Sequence, residues 1–192
     1  MVQRRVSEAL DAARPGPVHL LSMCAGQGRD VIGPLVDHAR RGDVVARLVE
    51  LDADLVADAR AAASAAGLSN VEVVEGDAST TSAYAGMVPA AVVLVCGVFG
   101  NVVDEDVHTT VRELRRLCTH GGVVIWTRHR RDPDLTPAIR GWFADAGFTE
   151  LGFDGEPGSF GVGVHRFDGT PMAYRTAHRM FTFVGDGSDA RF

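Results

Sequence analysis

The sequence predicts an α/β protein, with helices on both faces of a mostly parallel sheet and an antiparallel hairpin closing its far edge. Three observations carry this. Short runs rich in Val, Leu and Ile lack polar alternation, as strands buried on both faces do. Stretches with apolar residues at helical spacing lie between them, and that alternation specifies parallel pairing through right-handed crossovers. In the last part of the chain, strand-like runs follow one another with only turn residues between them.

The first dozen residues read as a short helix, within a lead-in covering 1–15. The first strand is Val18–Met23. Arg29–Arg40 then places Val31, Ile32, Leu35, Val36 and Ala39 on one helical face. A second strand, Val44–Leu51, is followed by Asp54–Ala66, which consists mainly of Ala, Leu, Val, Asp and Arg and suits a helix. Val71–Val74 and Ala91–Cys96 are the next strands. Asp104–Cys118 carries Val107, Val111, Leu114 and Leu117 on one stripe. Gly122–Trp126 is a fifth strand. Thr136–Ala146 opens with Pro137 in the first turn and stops at Gly147.

After that helix the pattern changes. Phe148–Phe153, Phe160–Phe167 and Arg179–Val184 read as strands, separated by turn signals at Gly155, Pro157, Gly158 and Gly169. Residues 185–192 read as a frayed tail. No stretch resembles a linker, so the 192 residues are expected to form a single domain.

Charge and composition exclude several function classes. Lys and Arg total 19 against 25 Asp and Glu, a net charge of -6, opposite to the basic excess of a nucleic-acid binder. No apolar run approaches the roughly 18 residues of a membrane span, and the N-terminus lacks an apolar signal core. Cys24, Cys96 and Cys118 are odd in number and widely spaced. They are expected to be reduced thiols of a cytoplasmic protein, with no metal site.

Ligands of an open parallel sheet sit outside the carboxyl ends of its strands, where the strand order reverses. The residues directly after each strand therefore matter most. After the first come Cys24, Ala25, Gly26, Gln27, Gly28, Arg29 and Asp30, whose paired glycines allow a tight turn and close approach of backbone to ligand. The second strand ends in Glu50, Leu51 and Asp52, near the roughly 20-residue offset at which a carboxylate captures ribose hydroxyls. Glu50 is the better ribose candidate, and Asp52 the better helix cap. Past the third strand stand Asp77 and Ala78. Asp77 is placed to accept from an exocyclic amine, or to act as a plain turn residue.

Leu20–Asp30, Leu48–Asp52 and Val73–Ala78 resemble the first three motifs of class I S-adenosylmethionine-dependent methyltransferases. Ala91–Cys96 with Gly97, Val98, Phe99, Gly100 and Asn101 resembles their fourth, and Leu117–Ile125 the helix, turn and fifth strand that follow. The resemblance implies a Rossmann-like three-layer sandwich around a seven-stranded sheet, six strands parallel and one antiparallel. It also implies S-adenosylmethionine as cofactor and S-adenosylhomocysteine as product.

Carried over by position, the resemblance gives Cys24, Ala25, Gly26 and Gly28 the methionine end of the cofactor and Glu50 the ribose. Leu51 would pack on the adenine, Asp77 would take its amine, and Ala78 would offer a backbone amide to the ring. Cys96 and Gly97 would line the cleft beside the sulfonium. The chain departs from the family pattern at Ser22, commonly acidic, at Cys24, commonly glycine, and at Ala90 and Ala91, where an aspartate is frequent. With Ser22 in place of an acid, Asp30 is the remaining candidate to tether the cofactor's amino group.

Methyl transfer from a sulfonium is an in-line displacement, for which a protein aligns the acceptor, excludes water and, where needed, takes a proton. Asn101 is a candidate contact to substrate or to the cofactor carboxylate. Arg128, His129, Arg130 and Arg131 follow the fifth strand, either as a solvated basic loop or with side chains in the cleft. There His129 would serve as general base and Arg128 would grip a carboxylate or phosphate. His165 alternates with Val162, Val164 and Phe167 and is a similar candidate, facing either the cleft or the surface. Trp126 and Phe160 are expected in the core.

Fewer than 20 residues precede the first strand, and no large insertion follows the fifth. The expectation is an open site, one covered by a partner subunit in a homodimer, or a chain cut from a longer one. The leading reading is methyl transfer to a small molecule. Alternatives are an enzyme-dead cofactor-binding module and a dinucleotide oxidoreductase. The latter is disfavoured by Val31, which stands where the dinucleotide fingerprint wants a third small residue. RNA methylation is disfavoured by the acidic balance.

Overall fold

The computed structural model describes residues 1–184, so the expected frayed tail at 185–192 lies outside the described residues. In chain order the elements are α1 (Val2–Ala12), β1 (Val18–Met23), α2 (Arg29–Leu35), β2 (Val44–Glu50), α3 (Ala53–Ala65), β3 (Val71–Glu75), a 3₁₀ turn (Thr81–Tyr84), β4 (Ala90–Val95), α4 (Asp104–Leu117), β5 (Cys118–His129), α5 (Thr136–Asp145), β6 (Phe148–Asp154) and β7 (Phe160–Phe167).

The strands form one seven-stranded sheet in the order β3-β2-β1-β4-β5-β7-β6. Neighbours from β3 to β5 pair in parallel. β7 runs antiparallel to both β5 and β6. This is the mostly parallel, hairpin-closed sheet that the strand pattern predicts. The order reverses beside β1, which is flanked by β2 and β4, so the carboxyl ends of these strands are where a ligand of such a sheet would bind.

Two apolar layers cover the sheet. On one face, Val6 and Leu10 of α1, Val31 and Leu35 of α2, and Val56 and Ala59 of α3 pack over Leu20, Leu48 and Ile125. On the other, Val107, Val111 and Leu114 of α4 and Ile139 and Phe143 of α5 close over Leu21, Val93 and Trp126. Trp126 is fully buried, as expected. Phe160 is not: it is 45% exposed at the carboxyl edge of the sheet.

Three elements differ from the sequence reading. The helix expected over Arg29–Arg40 ends at Leu35. Pro34 lies in its last turn without an N–H to donate, and the chain then turns toward Asp43. Arg40 leaves the helical path and donates instead to the carbonyls of Leu10, Ala13, Arg14 and Gly16, tying down the end of α1. β5 runs to His129, so Arg128 and His129 are strand residues and not loop residues.

The run Arg179–Val184 is not a sheet strand. It touches the rest of the chain through single bridges, Thr80 to Arg179 and Val102 to Phe183, and forms part of an extended strap across α4. The strap is pinned along its length. Met172 N–H reaches the Arg115 carbonyl, Met180 N–H that of Ser79, Thr182 N–H the Asp106 carboxylate, and Val184 N–H the Asn101 carbonyl.

A concavity of about 780 Å³ lies at the opposite, amino-terminal edge of the sheet. It is lined by Ala13, Pro15, Val18, Ala91 and Val123 among others.

Candidate functional site

The loop after β1 is shaped by left-handed backbone at Cys24 (φ 49°), Gly26 (φ 53°) and Gly28 (φ 71°). A side chain at Gly28 would meet Ile32 Cδ1 at 2.8 Å and Leu48 Cδ2 at 2.9 Å, so this glycine lets α2 seat on β2. Gly26 has open space where a side chain would stand, as a backbone cradle for a ligand requires. Cys24 occupies a conformation natural to glycine, which is the residue the family pattern has there. Burial, with Glu50 and Asp77 nearby, pushes its thiol up to about 12, which keeps it un-ionised.

Glu50 joins this loop to the end of β2. Its Oε2 accepts the Gly26 N–H at 2.8 Å, and its Oε1 accepts those of Leu51 at 2.8 Å and Asp52 at 3.1 Å. A carboxylate offers about four lone-pair positions, so one remains for a ligand hydroxyl. The loop is fastened to β2 a second time, by the Ala25 N–H on the Val49 carbonyl. Leu51 is 70% exposed and leaves an apolar surface at the rim. Asp52 caps α3, accepting from the N–H groups of Asp54 and Leu55.

Asp77 sits beyond β3 and is engaged on both oxygens. Oδ1 accepts the Ser79 N–H at 2.9 Å, and Oδ2 lies 3.1 Å from Arg179 Nη2. Burial pushes its carboxyl up, but the Ser79 hydrogen bonds and Arg179 outweigh that and hold it below its ordinary value. Ala78 is buried, and its carbonyl accepts from the Tyr84 hydroxyl at 2.6 Å.

The floor follows β4. Gly97 N–H donates to Thr127 Oγ1 at 3.0 Å, locking the ends of β4 and β5 together. Burial raises the Cys96 thiol, and the neighbouring Asp30 carboxylate raises it further. Asp30 itself is raised by burial, and none of its side-chain oxygens is held by a hydrogen bond among the described residues.

Asn101, expected to contact substrate or cofactor, spends its amide on the Gly97 carbonyl at 2.7 Å. It therefore closes the 97–101 turn.

The three catalytic candidates separate. His165 is overturned. It is 1% exposed and pairs with Val124, well back from the carboxyl end of β5. Its Nδ1 accepts from Trp126, and its ring stacks on Phe143 at 4.3 Å. Desolvation lowers it to about 4. Nor is Arg128 free to grip an acceptor: its guanidinium donates to the Phe99 carbonyl and lies 3.7 Å from Asp104 Oδ1, so it holds the loop after β4 against α4.

His129 lies at the carboxyl end of the sheet. It is the last residue of β5, directly opposite the exposed Phe160. Its Nδ1 is buried with no partner among the described residues, and its Cδ2 edge lies against Gly100.

Thr127 and Arg179 contact the candidate residues Gly97 and Asp77, and the sequence reading did not name them. Thr127 was legible in principle, as the last inward residue before the cleft end of β5. Arg179 had no local signal.

A family model described as "Putative methyltransferase" matches residues 1–142. The chain belongs to this methyltransferase family. None of the curated proteins matches it. Among solved structures it is similar to an O-methyltransferase family protein from Burkholderia thailandensis (TM-score 0.68, 18% identity, covering 86% of this chain and 55% of that one). It is similar to a 1,6-didemethyltoxoflavin-N1-methyltransferase of the same organism, solved with its substrate and S-adenosylhomocysteine (0.65, 18%, 86% and 78%). A third is the magnesium protoporphyrin IX methyltransferase of Synechocystis PCC 6803, solved with S-adenosylmethionine (0.66, 13%, 86% and 77%). At these identities the likeness is one of fold. The chain spans just over half the length of the first of these proteins. No helix among the described residues is long and apolar enough to cross a membrane.

Proposed function

We propose that the chain catalyses methyl transfer from S-adenosylmethionine to a small-molecule acceptor held over the carboxyl ends of β4 and β5. The observation that carries this reading is the Glu50–Gly26 hydrogen bond at 2.8 Å, beside a Gly26 whose outer side is open. It makes one cradle from the glycine loop and the strand-end carboxylate, at the point where the sheet order reverses.

When bound, the cofactor supplies a methyl group already activated on a sulfonium. The chain's own work is then to hold and align. Gly26 presents its open side to the methionine end, Glu50 takes ribose hydroxyl hydrogens, and Leu51 offers the base an apolar face. Asp30, half-buried and with no partner among the described residues, takes the amino group, to which Ser22 offers no charge. Gly97 and Cys96 line the wall beside the reacting carbon, with the thiol kept neutral and so out of competition for the methyl group. His129 accepts the acceptor's proton, and Phe160 shields that pair from water. In the neighbours, toxoflavin and porphyrin acceptors support a small planar molecule. Three free thiols fit a reducing, cytoplasmic setting.

Calorimetric titration with S-adenosylhomocysteine tests the reading, with NAD as the control. Saturable binding of the first alone is expected. Glu50→Ala should weaken it by about 1–3 kcal/mol. Binding of NAD in its place would instead establish a dinucleotide enzyme. Turnover on a panel of phenols, amines and carboxylates separates an enzyme from a binding module.

A further inference from the structure

Asp77 does not stand alone at the end of β3. Arg179, from the strap, holds its Oδ2 at 3.1 Å and donates through Nη1 to Ser79 Oγ at 2.6 Å. The backbone around it is fixed. Met180 N–H bonds the Ser79 carbonyl, His178 N–H bonds Thr81 Oγ1, and the Met180 carbonyl accepts from Thr110. Yet the Arg179 side chain is 56% exposed and Asp77 44%, so the pair meets on an open surface and not in the core. An exposed ion pair of this kind adds little stability. Its placement is the more telling feature. An acceptor and a fork of donors stand side by side beyond the carboxyl end of β3.

We infer that Arg179 adds a second contact to the 6-aminopurine whose exocyclic amine the family pattern places on Asp77: its guanidinium donates to the ring nitrogen N7 beside that amine. This rests on the reading that S-adenosylmethionine binds along these strand ends.

The chemistry fits the pair. The amine of a 6-aminopurine is flanked by N1 and N7, both acceptors. With the amine on Asp77 and the Ala78 backbone turned toward N1, N7 is left for a donor arriving from the strap. A guanidinium presents several N–H groups in one plane, so Arg179 can keep one on Asp77 while giving another to the ring. A 6-oxopurine reverses the polarity at its exocyclic position and places an oxygen against the carboxylate. A base without N7 leaves an Arg179 donor unmet. The pair thus supplies selectivity that Asp77 alone would not.

The test uses the full chain and three ligands: S-adenosylhomocysteine, its 7-deaza analogue and its inosine analogue. In the wild type the 7-deaza analogue is expected to bind roughly tenfold more weakly than S-adenosylhomocysteine, the worth of one hydrogen bond from a charged donor. The inosine analogue is expected to be weaker still. In Arg179→Met, S-adenosylhomocysteine should weaken to the level of the 7-deaza analogue, and the two should bind alike. In Arg179→Lys, which keeps the charge but loses the planar fork, only part of the difference should return.

If S-adenosylhomocysteine binds and the 7-deaza analogue matches it in the wild type, the N7 contact is overturned while the cofactor reading stands. An Arg179→Met chain that keeps the wild-type preference overturns it too. Failure of S-adenosylhomocysteine to bind at all removes the cofactor reading, and this inference falls with it.

Discussion

The Trp126 indole N–H donates to His165 Nδ1 at 3.1 Å inside the sheet–helix core. That bond puts the ring's proton on Nε2, 3.6 Å from Glu150 Oε2. Glu150 is itself claimed by Arg140 through bonds of 2.6 and 2.8 Å, so its charge does little to favour a protonated imidazole. Burial dominates and lowers His165 to about 4.

A pH dependence of stability follows. The unfolded chain protonates this histidine near 6.5, the folded chain only near 4, so the unfolded state takes the proton first. The stability due to its neutral burial is complete above pH 6.5 and is lost between there and pH 4. By pH 5 the loss is about 2 kcal/mol. Urea unfolding at pH 7.5 and pH 5 should show it in the wild type and much less of it in His165→Gln. An equal loss in both chains would assign the effect to carboxylates.

The two loop glycines should fail in different ways. Gly28→Ala forces a methyl group onto Ile32 and Leu48 in left-handed backbone, and a loss of about 2–4 kcal/mol is expected. Gly26→Ala meets no atom within 4 Å, so the loss should be only about 1 kcal/mol. Its larger effect should fall on S-adenosylhomocysteine affinity. Thermal melts and calorimetry of both variants check the contrast.

Arg40 tethers the end of α1 through four main-chain carbonyls. Arg40→Ala leaves these without their charged donor, and a loss of about 2 kcal/mol is expected in chemical denaturation. Arg40→Lys should recover little of it, because a single ammonium cannot span the fork's positions.

His129→Ala is expected to lower methyl transfer roughly a hundredfold for an acceptor that must lose a proton. S-adenosylhomocysteine affinity should stay unchanged. Single-turnover kinetics beside calorimetry decide this, and an undiminished rate would remove His129 from the chemistry.

The parallel sheet was legible because its strands are uniform apolar runs, and Gly26, Glu50 and Asp77 because each lies directly after such a run. What escaped the sequence reading depended on distant partners. His165 alternates with apolar residues, but β7 is enclosed by β5 and β6 and covered on both faces, so alternation there does not mark an open side. Arg179–Val184 has the composition of a strand, yet its hydrogen bonds go to Ser79, Asp106 and Asn101 and not to a sheet edge. Arg128 looked like a loop cation, and its burial against Phe99 and Asp104 became visible only once β5 was seen to extend to His129.

The hollow at the amino-terminal edge of the sheet bears on how ligands for this protein should be sought. It is roomy and largely apolar, but it lies at the opposite end of the strands from Glu50 and Asp77. A compound seated there would register in a melting screen without touching either residue. Displacement of S-adenosylhomocysteine, and not a raised Tm, is the readout that would tell silent occupants from inhibitors.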